Sequence, residues 1–313
     1  MIFSRKCTKI SIFVYNITDM AQVLAVPGHL RHGFSFKGQF NHDFRRITGI
    51  AATIKGNILL CDYDKKNLIL VDPLGNYLKK LNADSEPYDI AITSQNIAYI
   101  TQPKSRSVLQ IDPDRMVELF QATCNDLSTT VFSVSAVPST GRDFSEKVSC
   151  FLGVKIQGFS YIYAVKNDNI SLPLANSTRG RQIGPCVIKF HAVNEQSFLS
   201  CTGGQNYIMY SGQNLRLNKI DSIVTMDTPT DICSDENGHI YVSGQGSNNI
   251  HRLEGYFKKS DRYRIDQDWK VLDIPLNSHH GIKEPVALCF NQDYSKLYIV
   301  NEWGKSVLIF DVI

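Results

Sequence analysis

Short apolar runs alternate with polar, turn-forming knots along this chain. The stretch CDYDKKNLILVDPLGNYLKKL, from Cys61, sets a charged turn directly against an unbroken apolar run. The unit recurs. ITGIAATIKGNILLCDYDKKNLILVDPLG from Ile47 and EPYDIAITSQNIAYITQPKSRSVLQIDPD from Glu86 match position by position: apolar strand, polar turn, strand, polar or basic turn, strand, then Asp-Pro. TPTDICSDENGHIYVSGQGSNNIHRLEG from Thr228 and EPVALCFNQDYSKLYIVNEWGKSVLIFD from Glu284 are two further copies.

Between the second and third of these copies lie fainter candidates for two more. One starts at VFSVSAVP (Val131 to Pro138) and continues through SCFLGV and GFSYIYAV; the other starts at GPCVIKF (Gly184 to Phe190) and continues through QSFLSCTGG and NYIMYS. Anchors at Ile50, Ile90, Phe132, Ile188, Ile232 and Leu288 are 40 to 56 residues apart, the period of four-stranded propeller blades. NLILVD and SVLIFDV are apolar at successive positions, as strands covered on both faces require. Ala51, Ala52 and Ala91 suit inner strands crowded about an axis, and Lys55-Gly-Asn and Asn237-Gly are hairpin signals. These features predict an all-β chain forming a six-bladed propeller of four-stranded antiparallel blades. The last copy has three strands, while GFSFKGQF (Gly33 to Phe40) is an orphan strand upstream of the first. A closed ring leaves no sheet edge exposed, so the N-terminal strand is expected to complete the last blade. The domain boundaries are a flexible extension over 1–32 and a propeller over 33–313.

Composition adds limits. The 313 residues are 43% hydrophobic and 20% charged, which fits a globular protein, and a net charge of +3 demands neither nucleic acid nor membrane as partner. The eight cysteines, Cys7, Cys61, Cys124, Cys150, Cys186, Cys201, Cys233 and Cys289, stand singly, without zinc-ligand spacing. Cysteines inside runs such as ILLCDY and VALCF read as reduced core residues, which fits a cytoplasmic setting. Sequons at Asn16, Asn169 and Asn176 pull weakly toward secretion, and the apolar stretch from Ile10 to Val14 is too short to span a membrane.

GNILLCDYDKKNLILVDPLGNYLKKL, GHIYVSGQGSNNIHRL and SKLYIVNEWGKSVLIFD resemble the NHL repeat, and the first two copies look like the C-terminal propellers of tripartite-motif (TRIM-NHL) proteins. The resemblance covers roughly residues 34 to 313 and is strong in blades one, two, five and six. It implies a non-catalytic binding platform that recruits a protein partner through one face, within a TRIM-like ubiquitin-ligase system. Single-stranded RNA is the alternative ligand. No RING or B-box pattern of Cys and His occurs in this chain, so ligase activity would belong to a longer form or a partner.

In such a blade the turn between strands two and three and the loop entering strand one share a face. Those segments collect Arg45, Arg46, Tyr63, Lys65, Lys66, Lys104, Arg106, Lys283, Trp303 and Lys305. Bases interleaved with aromatics can neutralise phosphates and stack on bases. Asp62, Asp64, Asp84, Glu86, Glu284 and Glu302 lie in or beside the same turns and offset that field within a Debye length of about 8 Å. A second alternative is a calcium-dependent lactonase or esterase propeller, for which Glu86, Asp231, Glu284, Asn301 and Asn248 are the candidate oxygen ligands. His279-His280 reads as solvated loop rather than metal site. No G-x-S-x-G, H-E-x-x-H or P-loop motif is present. No catalytic residue, cofactor or metal is nominated, and neither membrane nor DNA is expected as a partner.

Overall fold

The structure, a computed structural model, describes residues 32–124, 126–137, 148–168, 170, 180–212, 217–219, 223–261 and 264–313. Apart from His32, the expected extension over 1–32 lies outside the described residues, as do Cys7 and all three sequons.

Among the described residues, twenty-four strands form six antiparallel four-stranded sheets. Blade one is β2 (Ile47–Ala52), β3 (Ile58–Asp62), β4 (Asn67–Val71) and β5 (Tyr77–Asn82); blade two is β6 (Ile90–Ile92), β7 (Ala98–Gln102), β8 (Ser107–Asp112) and β9 (Val117–Thr123). Blade three is β10 (Thr129–Ala136), β11 (Val148–Ile156), β12 (Phe159–Lys166) and β13 (Arg181–Pro185). Blade four is β14 (Val187–Asn194), β15 (Ser197–Thr202), β16 (Ile208–Ser211) and β17 (Leu217–Lys219). Blade five is β18 (Pro229–Ser234), β19 (Ile240–Gly244) and a long hairpin of β20 (Asn249–Asp261) and β21 (Arg264–Leu276). Blade six joins β22 (Ala287–Phe290), β23 (Lys296–Asn301) and β24 (Ser306–Val312) to β1 (Phe34–Phe40) from the other end of the chain.

The greasy run after Cys61 is explained by how the blades stack. Leu59, Cys61, Leu68 and Leu70 pack with Ile90, Ile100 and Leu109 of blade two, whereas Ile58, Leu60, Ile69 and Val71 pack with Tyr298, Val300 and Val307 of blade six. Successive residues point to opposite faces, and each face has a neighbour. The core is accordingly six layers, one between every adjacent pair of blades. The outermost strands of blades one and two have no such cover, and β5 and β9 are largely exposed.

Polar motifs set the corners. Asp72 of the first Asp-Pro turns back on its own loop, its Oδ1 accepting from the Leu74 and Asn76 amides at 2.9 and 2.8 Å; Asp112 does the same for Asp114 and Arg115 at 3.0 Å. This is the Asx turn that favours Asp there. At the turns between strands two and three, Lys66, Arg106 and Asn248 each occupy the left-handed region, with φ of 52, 55 and 52°. Each closes the same four-residue turn, onto the carbonyls of Tyr63, Pro103 and Gln245 respectively.

The ring closes as expected. Phe34 pairs with Val312, Phe36 with Phe310 and Gln39 with Leu308, and Gly33 and Ile313 exchange backbone hydrogen bonds at 2.8 and 3.0 Å. Phe34 sets its edge 5.9 Å from Tyr241, in the layer between blades five and six. At the end of β1, Phe40 lies against Gly75 (φ 89°), where a Cβ would stand 2.3 Å from the Phe40 ring.

Two sequence anchors need correction. Ile50, Ile90, Ile232 and Leu288 pair with Leu60, Ile100, Val242 and Ile299. Their counterparts in the middle blades are Val134 (opposite Leu152) and Phe190 (opposite Ser200), two residues beyond Phe132 and Ile188. Both strands carry a bulge at the residue first chosen; blades one and five carry the same bulge at Thr48 and Thr230, but in the middle blades the extra, unpaired residue is apolar and stands in for the anchor.

Candidate functional site

The loops entering first strands and the turns between strands two and three do share a face: the Tyr63 amide donates to the Arg46 carbonyl at 2.9 Å and the Gln245 amide to the Thr228 carbonyl at 3.0 Å. Asp62 fastens this corner in blade one, its carboxylate accepting from the amides of Arg45, Arg46 and Lys65 at 3.1, 3.3 and 3.3 Å.

Most of the predicted cations on that face are paired. Arg46 meets Asp64 at 2.7 Å, Lys65 meets Asp43 at 2.7 Å, Lys66 and Lys104 share Glu86 at 3.5 and 3.0 Å, and Lys283 lies 3.7 Å from Glu302. Hydrogen bonding from Lys104, foremost, brings the Glu86 carboxyl down to about 2. Arg45, Arg106 and Lys305 make no ion pair among the described residues. Trp303, half exposed with φ 58°, stands at the corresponding corner of blade six. The residues therefore belong to one face but do not form one cationic surface.

What they do form is a cluster over blades one to four. The Arg46 guanidinium lies 4.4 Å from the Tyr63 ring centroid, Lys104 lies 5.6 Å from the same ring, and Tyr63 meets Tyr88 edge-on at 6.3 Å. Beside them is a cavity of about 290 Å³ lined by Arg46, Tyr63, Tyr88, Phe132, Lys155 and Ile188, among others. Lys155 extends over the Phe132 ring at 4.9 Å; burial lowers its pKa and no carboxylate is paired with it among the described residues. Sequence reading missed Lys155, whose one signal was a charge inside the apolar run FLGVKI.

A second feature lies on the axis itself. Register places Gly49, Asp89, Ser133, Lys189, Asp231 and Ala287 at equivalent positions of the six inner strands, one residue before the corrected anchors. Lys189 Nζ reaches Asp89 at 3.2 Å, Asp231 at 3.4 Å and the Thr48 carbonyl at 2.8 Å, so blade four touches blades two, five and one. Gly49 leaves the room: a Cβ there would lie 3.0 Å from the Tyr88 carbonyl oxygen. Asp89 also accepts from the Ser133 hydroxyl at 2.6 Å and the Val134 amide at 3.0 Å, and Asp231 from the Leu288 amide at 3.0 Å. Burial opposes the charge on Lys189, but the two carboxylates outweigh it and hold the amine protonated. Burial pushes Asp231 up to about 6, with Lys189 pulling the other way. The signal was present in the sequence as Pro-x-Asp-Ile at Pro87 and at Pro229, but Lys189 inside CVIKF read as an ordinary strand residue.

The remaining candidates are structural. Asn277 and His280 form a reciprocal cap on a 3-10 turn, and His279 donates its amide to Asn277 Oδ1, leaving both imidazoles in solvent. The calcium candidates do not converge. Asn248 Oδ1 accepts from the Glu284 amide at 2.7 Å, Asn301 Oδ1 from the Lys283 amide at 2.8 Å, Glu86 is bound to lysines, and Asp231 faces an ammonium. No group of three or more His, Cys, Asp or Glu is placed to hold a metal ion among the described residues. Cys61 and Cys201 are buried as their apolar runs imply, and so are Cys124 and Cys150, whereas Cys289 of VALCF is only part-buried and Cys186 is exposed at a φ of 56° between blades three and four. No helix among the described residues is long and apolar enough to cross a membrane.

Buried histidines make stability depend on pH. Burial lowers both His191 and His251 to about 4. Between pH 6.5 and 4 the unfolded chain takes up these protons and the folded chain does not, so their contribution is complete above 6.5 and drains as pH falls. At pH 5 the loss is at most about 2 kcal/mol per histidine, while Asp231 opposes it by about 1 kcal/mol because the folded state accepts its proton first. The melting temperature is expected to fall from pH 7.5 to 5, and the double variant His191→Gln, His251→Gln to flatten that slope. A slope unchanged in the variant would refute the assignment.

No family model and no curated protein matches the chain. Solved structures do. A catalytically inactive virginiamycin B lyase from Staphylococcus aureus with quinupristin is similar over 90% of this chain and 100% of its own, at 9% identity and a TM-score of 0.57. A structural genomics protein of unknown function from Bacteroides thetaiotaomicron is similar over 90% of this chain and 76% of its own, at 12% identity and a TM-score of 0.61. Hydrazine synthase of Kuenenia stuttgartiensis covers 85% of this chain and 83% of its own, at 12% identity and a TM-score of 0.56. At such identities the likeness is one of architecture alone and extends to no activity.

Proposed function

We propose that the chain is a non-catalytic binding platform that seats a segment of a protein partner in the cavity beside Tyr63. The observation that carries this reading is the cavity's chemistry: aromatic and aliphatic walls with the Lys155 ammonium held half-buried over Phe132. Apolar walls with few placed polar groups are the usual make-up of a recognition pocket. The pocket would take an acidic side chain flanked by an apolar one, the carboxylate answering Lys155 and the apolar neighbour lying on Tyr88 and Ile188. The NHL likeness of the repeats supports this use of the fold and suggests a TRIM-like ubiquitin-ligase context, with this chain as the receptor for substrate. Single-stranded RNA fits less well, because five of the eight predicted cations are already paired.

A peptide-display selection on the purified protein tests the reading. Selected peptides are expected to carry Asp or Glu beside an aromatic or aliphatic residue, and Lys155→Glu to weaken them at least tenfold. Peptides that bind Lys155→Glu undiminished would refute it, as would oligouridylate binding steeply weakened by salt without any peptide selected.

A further inference from the structure

The axial layer has an unbalanced charge, and on its side away from the Tyr63 face it borders a separate chamber of about 400 Å³. The six anchors, Ile50, Ile90, Val134, Phe190, Ile232 and Leu288, form its inner walls, and Ser94, Asn291, Gln292 and Tyr294, from turns between strands one and two, line its outer part. Asp89 and Asp231 both face it. Two carboxylates and the single Lys189 ammonium leave the layer one negative charge in excess.

Among the described residues, nothing else lining the chamber offsets that charge. Burial keeps His191 neutral and the thiols of Cys233 and Cys289 protonated. The polar wall groups are largely bound to one another: His191 Nε2 to the Ser234 hydroxyl at 3.1 Å, the Ser135 hydroxyl to the Ala192 amide at 2.9 Å, and Gln292 Nε2 to the Ala52 carbonyl at 3.2 Å. Asp89 spends its carboxylate on Ser133, Val134 and Lys189, which leaves Asp231, with only the Leu288 amide and Lys189 as tertiary partners, as the group with spare capacity.

We propose that this chamber is a second binding site, for a small organic ammonium ion with an apolar body, whose N–H groups donate to Asp231. A single excess charge matches a monovalent cation. A calcium ion would need six to eight oxygen ligands, no group of three or more His, Cys, Asp or Glu is placed to hold a metal ion among the described residues, and any metal would face Lys189 already seated between the carboxylates. The six apolar anchors at the chamber's inner end reward burial of a hydrocarbon body, and an ammonium gains a charge-assisted hydrogen bond from a carboxylate. The site is independent of the Tyr63 cavity, which opens on the other face.

Three probes of nearly equal shape separate the contributions: phenethylammonium, 2-phenylethanol and 3-phenylpropionate, titrated against the whole chain by calorimetry at pH 7.5. Phenethylammonium is expected to bind at least tenfold more tightly than the alcohol, and the carboxylate not at all. Asp231→Asn, which leaves Lys189 its Asp89 partner, is expected to erase that preference. Ala136→Phe, which fills the chamber wall without changing a charge, is expected to exclude all three, and Lys155→Glu to change nothing. Equal binding of amine and alcohol, no binding of either, or an amine preference that survives Asp231→Asn overturns the proposal. If Asp231→Asn fails to fold, Ala136→Phe decides alone: undiminished amine binding there overturns it.

Discussion

Replacing Lys189 with Met is expected to destabilise the fold by about 3 to 5 kcal/mol, the usual cost of removing one partner from a buried ionic group. The side chain is 4% exposed and bonds to three other blades. Its removal leaves Asp89 and Asp231 facing each other across the axis without a cation, and one of them must take up a proton. The midpoint of urea unfolding measures the loss. Adding Asp89→Asn and Asp231→Asn to Lys189→Met is expected to recover a large part of it, since neutral amides lack the stranded charge. A Lys189→Met variant within 1 kcal/mol of the parent would show that the layer contributes little.

A chain lacking everything through Gln39 is expected to lose its cooperative thermal transition or to melt at least about 10 °C lower, a shift of several kcal/mol for a domain of this size. The deletion opens the edge of β24 and uncovers Phe310, against which Phe36 packs at 5.7 Å, and it empties the place of Phe34 between blades five and six. Supplying the peptide GFSFKGQF in trans is expected to restore part of the transition. An unchanged melt would mean that the ring holds without its closing strand.

Blade number, strand order and the closing strand were legible because they follow from repetition: Asp-Pro corners, polar or basic turns between strands two and three, and runs apolar at every position all report local geometry. The middle blades were legible only as blades. The inner-strand bulge is a threonine in blades one and five but apolar in the middle blades, at Phe132 and Ile188, and an apolar bulge reads as an anchor two residues early. The functional residues were harder still. Turn residues announce a face by being polar, yet pairing with Asp43, Asp64, Glu86 and Glu302 is decided by distances across different turns. Lys155 and Lys189 sit inside strands, where a charge has meaning only once the facing blade is known.

The seam of the ring has a mechanical consequence. Gly33 and Ile313 lie side by side at one end of the antiparallel pair of β1 and β24, whose hydrogen bonds run perpendicular to the strands. A pull applied between those two residues would load the rungs in turn, Phe34 with Val312 first and Phe40 with Val307 last, and would peel the seam like a zipper. A pull along the strands would instead load all of the rungs together. The same hydrogen bonds that make the ring a closed cylinder in solution are therefore weakest against tension at its own two ends.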